Sequence, residues 1–455
     1  MEKVNLRELT QATQGKLYLG NPSLEITSIS TDTRNIKQGD MFFALKGVNF
    51  DGHKFVDYAI KQGASGVVIS EIDSEIDKCI PNTSSIIVVK DTLKALGDFA
   101  GYYRKKIAPL VVAVTGSSGK TTTKEMIYHI LKVKGNVHAT KKNYNNLIGV
   151  PLTLLELTKE HKYSVLELGI SLKGEMDRLI EITRPDVGII TNIGKTHLEY
   201  LGDTLGVFNE KSKLLRLLEK DKVSILNFDD PYLNGLKDNL RSEILTFGLS
   251  TNADIYASDV KSLNEKMSFN MHLMGKRISM VIPVPGLFNV YNALAAVCAC
   301  HCLGIDIEVI KKALEQFSPM KMRMERIMHS SGAILINDAY NANPESMKQS
   351  ITSFMEAYPE KEKIIVIGDM LELGEHTQQE HKALGKLVTE LPLSGIYLYG
   401  KYIKAIKEDN PADYIEYFTE QPGLEEKLKK RLNANTAVLF KASRGIGLEK
   451  IVNNL

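Results

Sequence analysis

The sequence predicts an α/β protein in three blocks, and three observations carry that prediction. Apolar, β-branched runs alternate with helical patterns along most of the chain, as parallel sheets with crossover helices require. Many of those runs stop at glycine or a polar residue, where open α/β sheets bind their ligands. At 455 residues the chain exceeds one typical core, and two proline-marked breaks divide it. The blocks expected are residues 1–108, 109–318 and 319–455.

The first block carries short strand signals in EITSISTDT, DMFFALKG, GVVIS and SIIVV, mixed with helical stretches, as in a small mixed α/β domain. Pro109 then precedes the run VVAVT, which feeds TGSSGKTTT. Beyond it YSVLELG and VGIITNIG read as strands of a parallel sheet. MHLMGKRISMVIPVPG reads as a β-hairpin excursion, followed by a helix from Val290. FSPMKMR is the second break. In the last block AILINDAY, KIIVIGDM, SGIYLYG and TAVLFKASR are strands separated by helical stretches.

Composition narrows the function classes. Hydrophobic content of 43% and charged content of 25% are those of a soluble globular chain. A net charge of +2 gives no signature of a nucleic-acid binder. The polar N-terminus lacks the apolar core of a signal peptide, and no apolar run is long enough to insert in a membrane. Four cysteines make no disulfide framework, so a cytoplasmic location is expected. Cys298, Cys300 and Cys302 lie in NALAAVCACHCLG, a small-residue helix on which Cys300 faces away from the other two. That spacing suits a buried helix better than tetrahedral metal binding.

TGSSGKTTT carries the chemistry. Backbone N–H groups of Gly116, Ser117, Ser118 and Gly119 can point at phosphate oxygens, and the following helix adds the positive end of its dipole. Lys120 would neutralise phosphate charge, Thr121 would ligate Mg²⁺, and Thr122 follows in the same turn. The common spacing G-x-x-x-x-G-K-[ST] needs glycine at 114, where this chain has Val114.

Other strand ends supply partners. YSVLELG delivers Glu167, a carboxylate of the kind a metal beside phosphates requires, although a solvated strand end reads the same way. VGIITNIGKTHLE brings His197 to such an end, with Lys195 and Glu199 nearby. GLFNVYNALAA sets Asn289 and Asn292 on one helix face, as a helix cap, an adenine contact or a partner for a carboxylate. INDAYNANPESM gathers Asp338, Tyr340, Asn341 and Asn343 in a loop before Pro344, a composition that also makes plain turns. GDMLELGE, with Asp369 and Glu372, and KASRG, with Lys441 and Arg444, share that ambiguity.

These motifs resemble the Mur ligases and the related folylpolyglutamate synthases, whose TGxxGKT loop lacks the extra leading glycine. The resemblance covers nearly the whole chain. STDTRNIKQGDMFFALKGVNFDGHKF, KKNYNNLIGVPLTLL, INDAYNANPESM and VIGDMLELGEHTQQEH point to the branch that joins D-alanyl-D-alanine to UDP-MurNAc-tripeptide with ATP. It implies a small mixed N-terminal domain for the UDP-sugar, a central P-loop parallel-sheet ATPase domain, and a C-terminal Rossmann-like domain for nucleotide closure and D-alanyl-D-alanine. A monomer is the family expectation.

The resemblance also implies roles residue by residue. Lys120 would hold the ATP phosphates; Thr121 and Glu167 would bind one Mg²⁺, and His197 a second. Asn289, Asn292, Tyr340 and Asn341 are similar to adenine-side contacts, and Arg323 and Asp338 would reach the nucleotide from the last block. Thr31, Arg34 and Lys46 would contact UDP, and Asn145 and Asn146 the sugar peptide or the phosphate being transferred. Lys211, in NEKSKLLRLL, aligns with a lysine whose carbamylation turns a cation into a carboxylate for the second metal. Where the family often has Lys-x-Glu, this chain has Lys211-Ser-Lys213, and KASRG has Ala442 where the family commonly has glycine. Two rivals remain: an amide ligase of another branch, and a non-catalytic nucleotide-binding interaction protein.

Overall fold

Strands form where β-branched apolar runs can be buried on both faces, and the computed structural model shows this in its three larger sheets. It describes residues 1–47, 50–72 and 80–455; Val48 and Asn49 of the N-terminal motif, and Cys79, lie outside them. The chain packs as two units, one of Met1–Ala113, Lys134–Ile170 and Gly174–Asp186, the other of Val114–Val133, Ser171–Lys173 and Val187–Leu455.

In the first unit five strands run in the order Lys16–Leu19, Ser85–Val88, Gly66–Ile69, Met41–Phe43, Ile29–Ser30. All neighbours are parallel except the first pair. Every residue of Met41–Phe43 and Gly66–Ile69 is buried, as in parallel strands covered on both faces. Phe42, Val67, Ile69 and Ile86 pack there with Val56 and Ala59 of the helix Val56–Lys61. The helix Thr92–Ile107 is capped by Asp91, which accepts a hydrogen bond from the Lys94 amide, and stops at Ala108 in the left-handed region (φ 56°). Pro109 comes next and bars a further turn.

The largest sheet has nine strands, in the order Lys276–Ile282, Lys266–Leu273, Ile255–Leu263, Glu243–Gly248, Val223–Asn227, Val187–Ile190, Leu110–Thr115, Tyr163–Glu167, Val137–Ala139. The expected hairpin excursion is present: the first three of these strands are antiparallel and make the sheet mixed. Its last turn uses Met274 and Gly275 at φ 50° and 76°, the positive values a two-residue hairpin requires. The helix Leu287–Cys302 opens three residues ahead of Val290 and buries Cys298 and Cys300.

The second unit holds a six-stranded sheet: Glu325–Met328, Ile334–Asn337, Thr436–Lys441, Glu362–Gly368, Gly395–Tyr399, Ile415–Phe418. Its first pair is antiparallel and the rest parallel. Leu335, Ile364, Val366, Val438 and Phe440 form its core with Leu424, Leu428 and Ile451 from covering helices. The three larger sheets with their helices are the three α/β domains expected, each mixed, with antiparallel pairing at one edge.

Candidate active site

The strand Leu110–Thr115 ends in a loop, within the second unit, that only glycine can make at two positions. Gly116 (φ 149°) and Gly119 (φ 82°) lie in the left-handed half of backbone space, and neighbours crowd both. A Cβ on Gly116 would sit 1.9 Å from Thr191 Oγ1, and one on Gly119 2.3 Å from Asn292 Oδ1. The segment after the strand Val187–Ile190 braces the loop: Ser117 N–H donates to the Asn192 carbonyl (3.0 Å) and Ser118 N–H to Asn192 Oδ1 (2.9 Å). Thr191 Oγ1 donates to the Ser118 carbonyl (2.5 Å), and Gly194 N–H to Ser117 Oγ (2.8 Å).

The helix Lys120–Leu131 starts from Gly119 with no side-chain cap on its first turn, whereas the Ser117 and Ser118 amides expected to face phosphate are turned to Asn192. Lys120 Nζ donates to the Gly116 carbonyl at 2.6 Å, and Thr122 is half-buried in the first turn. Thr121 is buried, and its Oγ1 accepts a hydrogen bond from Arg323 Nη2 at 2.7 Å.

Sequence reasoning correctly set Asn289 and Asn292 on one face, but their amides turn inward. Asn289 Nδ2 donates to the Pro285 carbonyl (2.7 Å), Asn292 Nδ2 to Asn289 Oδ1 (3.1 Å), and Thr123 Oγ1 to Asn292 Oδ1 (3.2 Å). The pair thus buttresses the loop helix. From the last sheet, Tyr340 lies under the Arg323 guanidinium, 4.2 Å from carbon to ring centroid. Asp338 is buried and engaged: Oδ2 accepts from Lys441 Nζ and Ser350 Oγ (2.5 Å each), Oδ1 from the Met324 amide (3.1 Å). Asp338 therefore sets the shape of the INDAYNANP loop. Asn341 is exposed, its carbonyl accepting from Lys441, and Asn343 Nδ2 donates to Ser118 Oγ (3.3 Å).

His197 is held at φ 53° just before the short helix Leu198–Leu201. Its Nδ1 lies 2.6 Å from Glu372 Oε2, an ion-pair approach without the alignment of a good hydrogen bond. The His197 ring nitrogen beside it holds the Glu372 carboxyl below its usual range, against the effect of burial. Nearby, Lys195 Nζ donates to Glu380 Oε1 at 2.5 Å. The structure separates the two candidate lysines: Lys211 is fully buried in the helix Thr204–Arg216, while Lys213 is partly exposed and pairs with Glu210 at 2.7 Å.

The first unit carries the other expected residues. Glu167, at the end of Tyr163–Glu167, is 4% exposed. Its amide donates to Thr140 Oγ1 (3.0 Å) and its Oε1 accepts from Asn145 Nδ2 (2.8 Å). Glu167 Oε2 is buried and has no hydrogen-bond partner among the described residues. Asn146 instead turns the chain, its Oδ1 accepting from the amides of Ile148 and Gly149. Thr31 is half-buried, and Arg34 is exposed and paired with Asp32 at 2.6 Å. Lys46, also exposed, lies 3.8 Å from Asp51 and 3.6 Å from Glu71.

Sequence reasoning missed Thr191 and Asn192 as braces of the loop, and Glu380. Thr191 and Asn192 directly follow the VGII strand, so the strand-end rule could have found them; no local signal marked Glu380.

A strand, a glycine loop and an uncapped helix carrying Lys-Thr define a phosphate-binding protein of the α/β class. Sequence models for the Mur ligase family match the chain in three places: its catalytic domain at residues 25–104, its middle domain at 114–300, and its glutamate ligase domain at 322–444. The chain belongs to the Mur ligase family. A relative from Bacillus subtilis (strain 168), named UDP-N-acetylmuramoyl-tripeptide–D-alanyl-D-alanine ligase, is 37% identical over 99% of this chain and 97% of its own length. A relative of the same name from Escherichia coli (strain K12) is 32% identical over 100% and 99%. Among solved structures, MurF from Acinetobacter baumannii superposes with a TM-score of 0.92 at 34% identity, covering 100% of this chain and 99% of that one. MurF ligase from Thermotoga maritima in complex with ADP gives a TM-score of 0.83 at 28% identity, covering 94% and 96%.

Proposed function

We propose that this chain joins D-alanyl-D-alanine to UDP-MurNAc-tripeptide, converting ATP to ADP and phosphate and giving UDP-MurNAc-pentapeptide for the cell wall. The carrying observation is the glycine loop, whose uncapped helix start and Arg323–Thr121 contact suit a triphosphate, in a chain that matches relatives of that name over nearly its full length. The domains divide as residues 1–108 for the UDP-sugar, 109–318 for ATP, and 319–455 for closure on the nucleotide and D-alanyl-D-alanine. No helix among the described residues is long and apolar enough to cross a membrane. A cytoplasmic monomer acting on small substrates, without nucleic acid, fits this reading.

A carboxylate is a poor electrophile, so amide formation in water needs activation. In this mechanism the tripeptide carboxylate attacks the γ-phosphorus, ADP leaves, and an acyl phosphate forms. The amine of D-alanyl-D-alanine then attacks the acyl carbon, loses a proton, and phosphate departs. Lys120 and the amides that open the helix Lys120–Leu131 bind the phosphates, with Arg323 and Tyr340 beside them. Asn289 and Asn292 hold the loop on the ATP side, Asp338 orders the chain that carries Tyr340 and Asn341, and Asn145 orients Glu167. Thr31, Arg34 and Lys46 bind the UDP moiety, and Asn146 the sugar peptide. Closure over the loop excludes water, which protects the acyl phosphate.

Mg²⁺ fits these residues. It keeps several waters and needs only one or two protein carboxylates beside phosphates, and the unpartnered Glu167 Oε2 is such a ligand. The resemblance to the family assigns one ion to Thr121 and to Glu167, and a second to His197 with carbamylated Lys211. Mg²⁺, when bound, neutralises charge on the transferring phosphoryl group. Lys211 is fully buried, and a carbamate there is an anion that needs a cation such as Mg²⁺ to offset its burial.

The deciding experiment is mass spectrometry of the product from purified protein, ATP, Mg²⁺ and both substrates. Pentapeptide formed one-for-one with ADP is expected, and its absence overturns the reading. Lys120→Ala should abolish product while leaving the melting curve intact. Lys211→Ala should lose activity and partly regain it with added short carboxylic acids; full activity without them sinks the carbamate role.

A further inference from the structure

Arg323, whose guanidinium reaches Thr121, sits between two residues that L-amino acids avoid: Met322 at φ 60° and Met324 at φ 50°. In the left-handed region an L side chain crowds its own backbone, which makes that conformation costly. Two such residues around one arginine persist only if their surroundings hold them there. Met322 N–H donates to Glu325 Oε2 (2.8 Å), the same oxygen accepts from Asn337 Nδ2 (3.2 Å), and Glu325 and Asn337 face each other across paired strands. Met324 N–H donates to Asp338 Oδ1 (3.1 Å), and the Met322 carbonyl accepts from Tyr340 N–H (3.3 Å). The result is an arginine with Nη2 on Thr121, its plane over Tyr340, and its Nε buried with no hydrogen-bond partner among the described residues. A guanidinium left in that state is not choosing its own position; the backbone on either side imposes it.

We propose that Glu325 is a positioning residue for Arg323: by holding the Met322 amide it keeps the left-handed turn that presents the guanidinium to the glycine loop. The proposal rests on the ligase reading for its kinetic effect and on nucleotide binding for an independent one. One oxygen of Glu325 does the holding, so its shape and acceptor count, not its charge, carry the role.

The test uses Glu325→Gln, Glu325→Ala, Arg323→Ala and the double variant Arg323→Ala/Glu325→Ala in the full chain. Kinetics with respect to ATP, MgADP titration and melting curves are read for each. Glu325→Ala should lower kcat/KM for ATP about tenfold and weaken MgADP by the same factor as Arg323→Ala, to within about twofold. Glu325→Gln, which keeps an amide oxygen to accept both N–H groups, should recover most of that loss. The double variant should be no worse than Arg323→Ala, because a missing guanidinium leaves nothing to position. Losses that multiply in the double variant, or that merely track the melting temperature, overturn the proposal. If the wild-type chain binds MgADP but makes no pentapeptide, the ligase reading fails and the titrations still decide the role of Glu325.

Discussion

Glu167 and Asp369 make a controlled comparison. Each follows a buried apolar strand, in VLELG and VIGDM, and each is almost fully buried, at 4% and 2% exposure. Burying a carboxylate costs several kcal/mol unless hydrogen bonds replace its water. Asp369 has them: Oδ2 accepts from the Lys401 amide (2.7 Å), and Oδ1 from those of Tyr402 (2.9 Å) and Ile403 (2.7 Å). The turn closes so tightly that a Cβ on Gly400 (φ 142°) would lie 2.6 Å from Asp369 Cγ. Glu167 receives one side-chain donor, Asn145, and keeps Oε2 unpartnered among the described residues. The saturated carboxylate is architecture; the unsaturated one has capacity left for a ligand.

Substituting the two acids should split activity from stability. Glu167→Gln removes the charge and keeps the shape, so product formation should fall about a thousandfold, roughly 4 kcal/mol of transition-state stabilisation. Its urea midpoint should hold or rise, because an incompletely solvated buried charge has gone. Activity above a tenth of wild type would remove Glu167 from the site. Asp369→Asn should do the reverse. It turns an NH₂ group toward backbone donors, and should lower unfolding free energy by about 2–3 kcal/mol while the folded fraction keeps its turnover. Unchanged stability would show that the three amides contribute little.

His138 sharpens the comparison, since an unpartnered atom alone is not a site. It is buried on the strand Val137–Ala139, and its Nε2 has no hydrogen-bond partner among the described residues. Burial, with His161 beside it, pushes its pKa down to about 4, so it meets its surroundings by staying neutral. A base with a depressed folded pKa takes up its proton first in the unfolded chain. Stability should therefore fall as pH drops from about 6.5 towards 4, with up to one proton bound on unfolding. His138→Gln should flatten that slope in urea titrations at pH 7 and pH 5; an unaltered slope would assign the effect to other groups.

Much of this was legible residue by residue. TGSSGKTTT announced a strand, a tight loop and a helix start because glycine, lysine and threonine have local conformational and chemical preferences. The hairpin at Met274–Gly275 and the three-block alternation were legible for the same reason. Asn289 and Asn292 were read onto the right face, yet which way their amides point depends on Thr123 and Pro285, which no spacing rule supplies. The lysine register in NEKSKLLRLL was equally open until burial separated Lys211 from Lys213.

Residue order alone was enough for the α/β class, the glycine loop and the candidate chemistry at each strand end, because backbone preference and apolar periodicity act over a few neighbours. Tertiary structure alone decided which polar groups are already satisfied: Asp369 and Asp338 are closed by amides, a hydroxyl and a lysine from distant segments, while Glu167 Oε2 is left open. The reason is physical. A hydrogen bond extends about 3 Å and takes no account of separation along the chain, so saturation can be counted only after distant segments have been brought together.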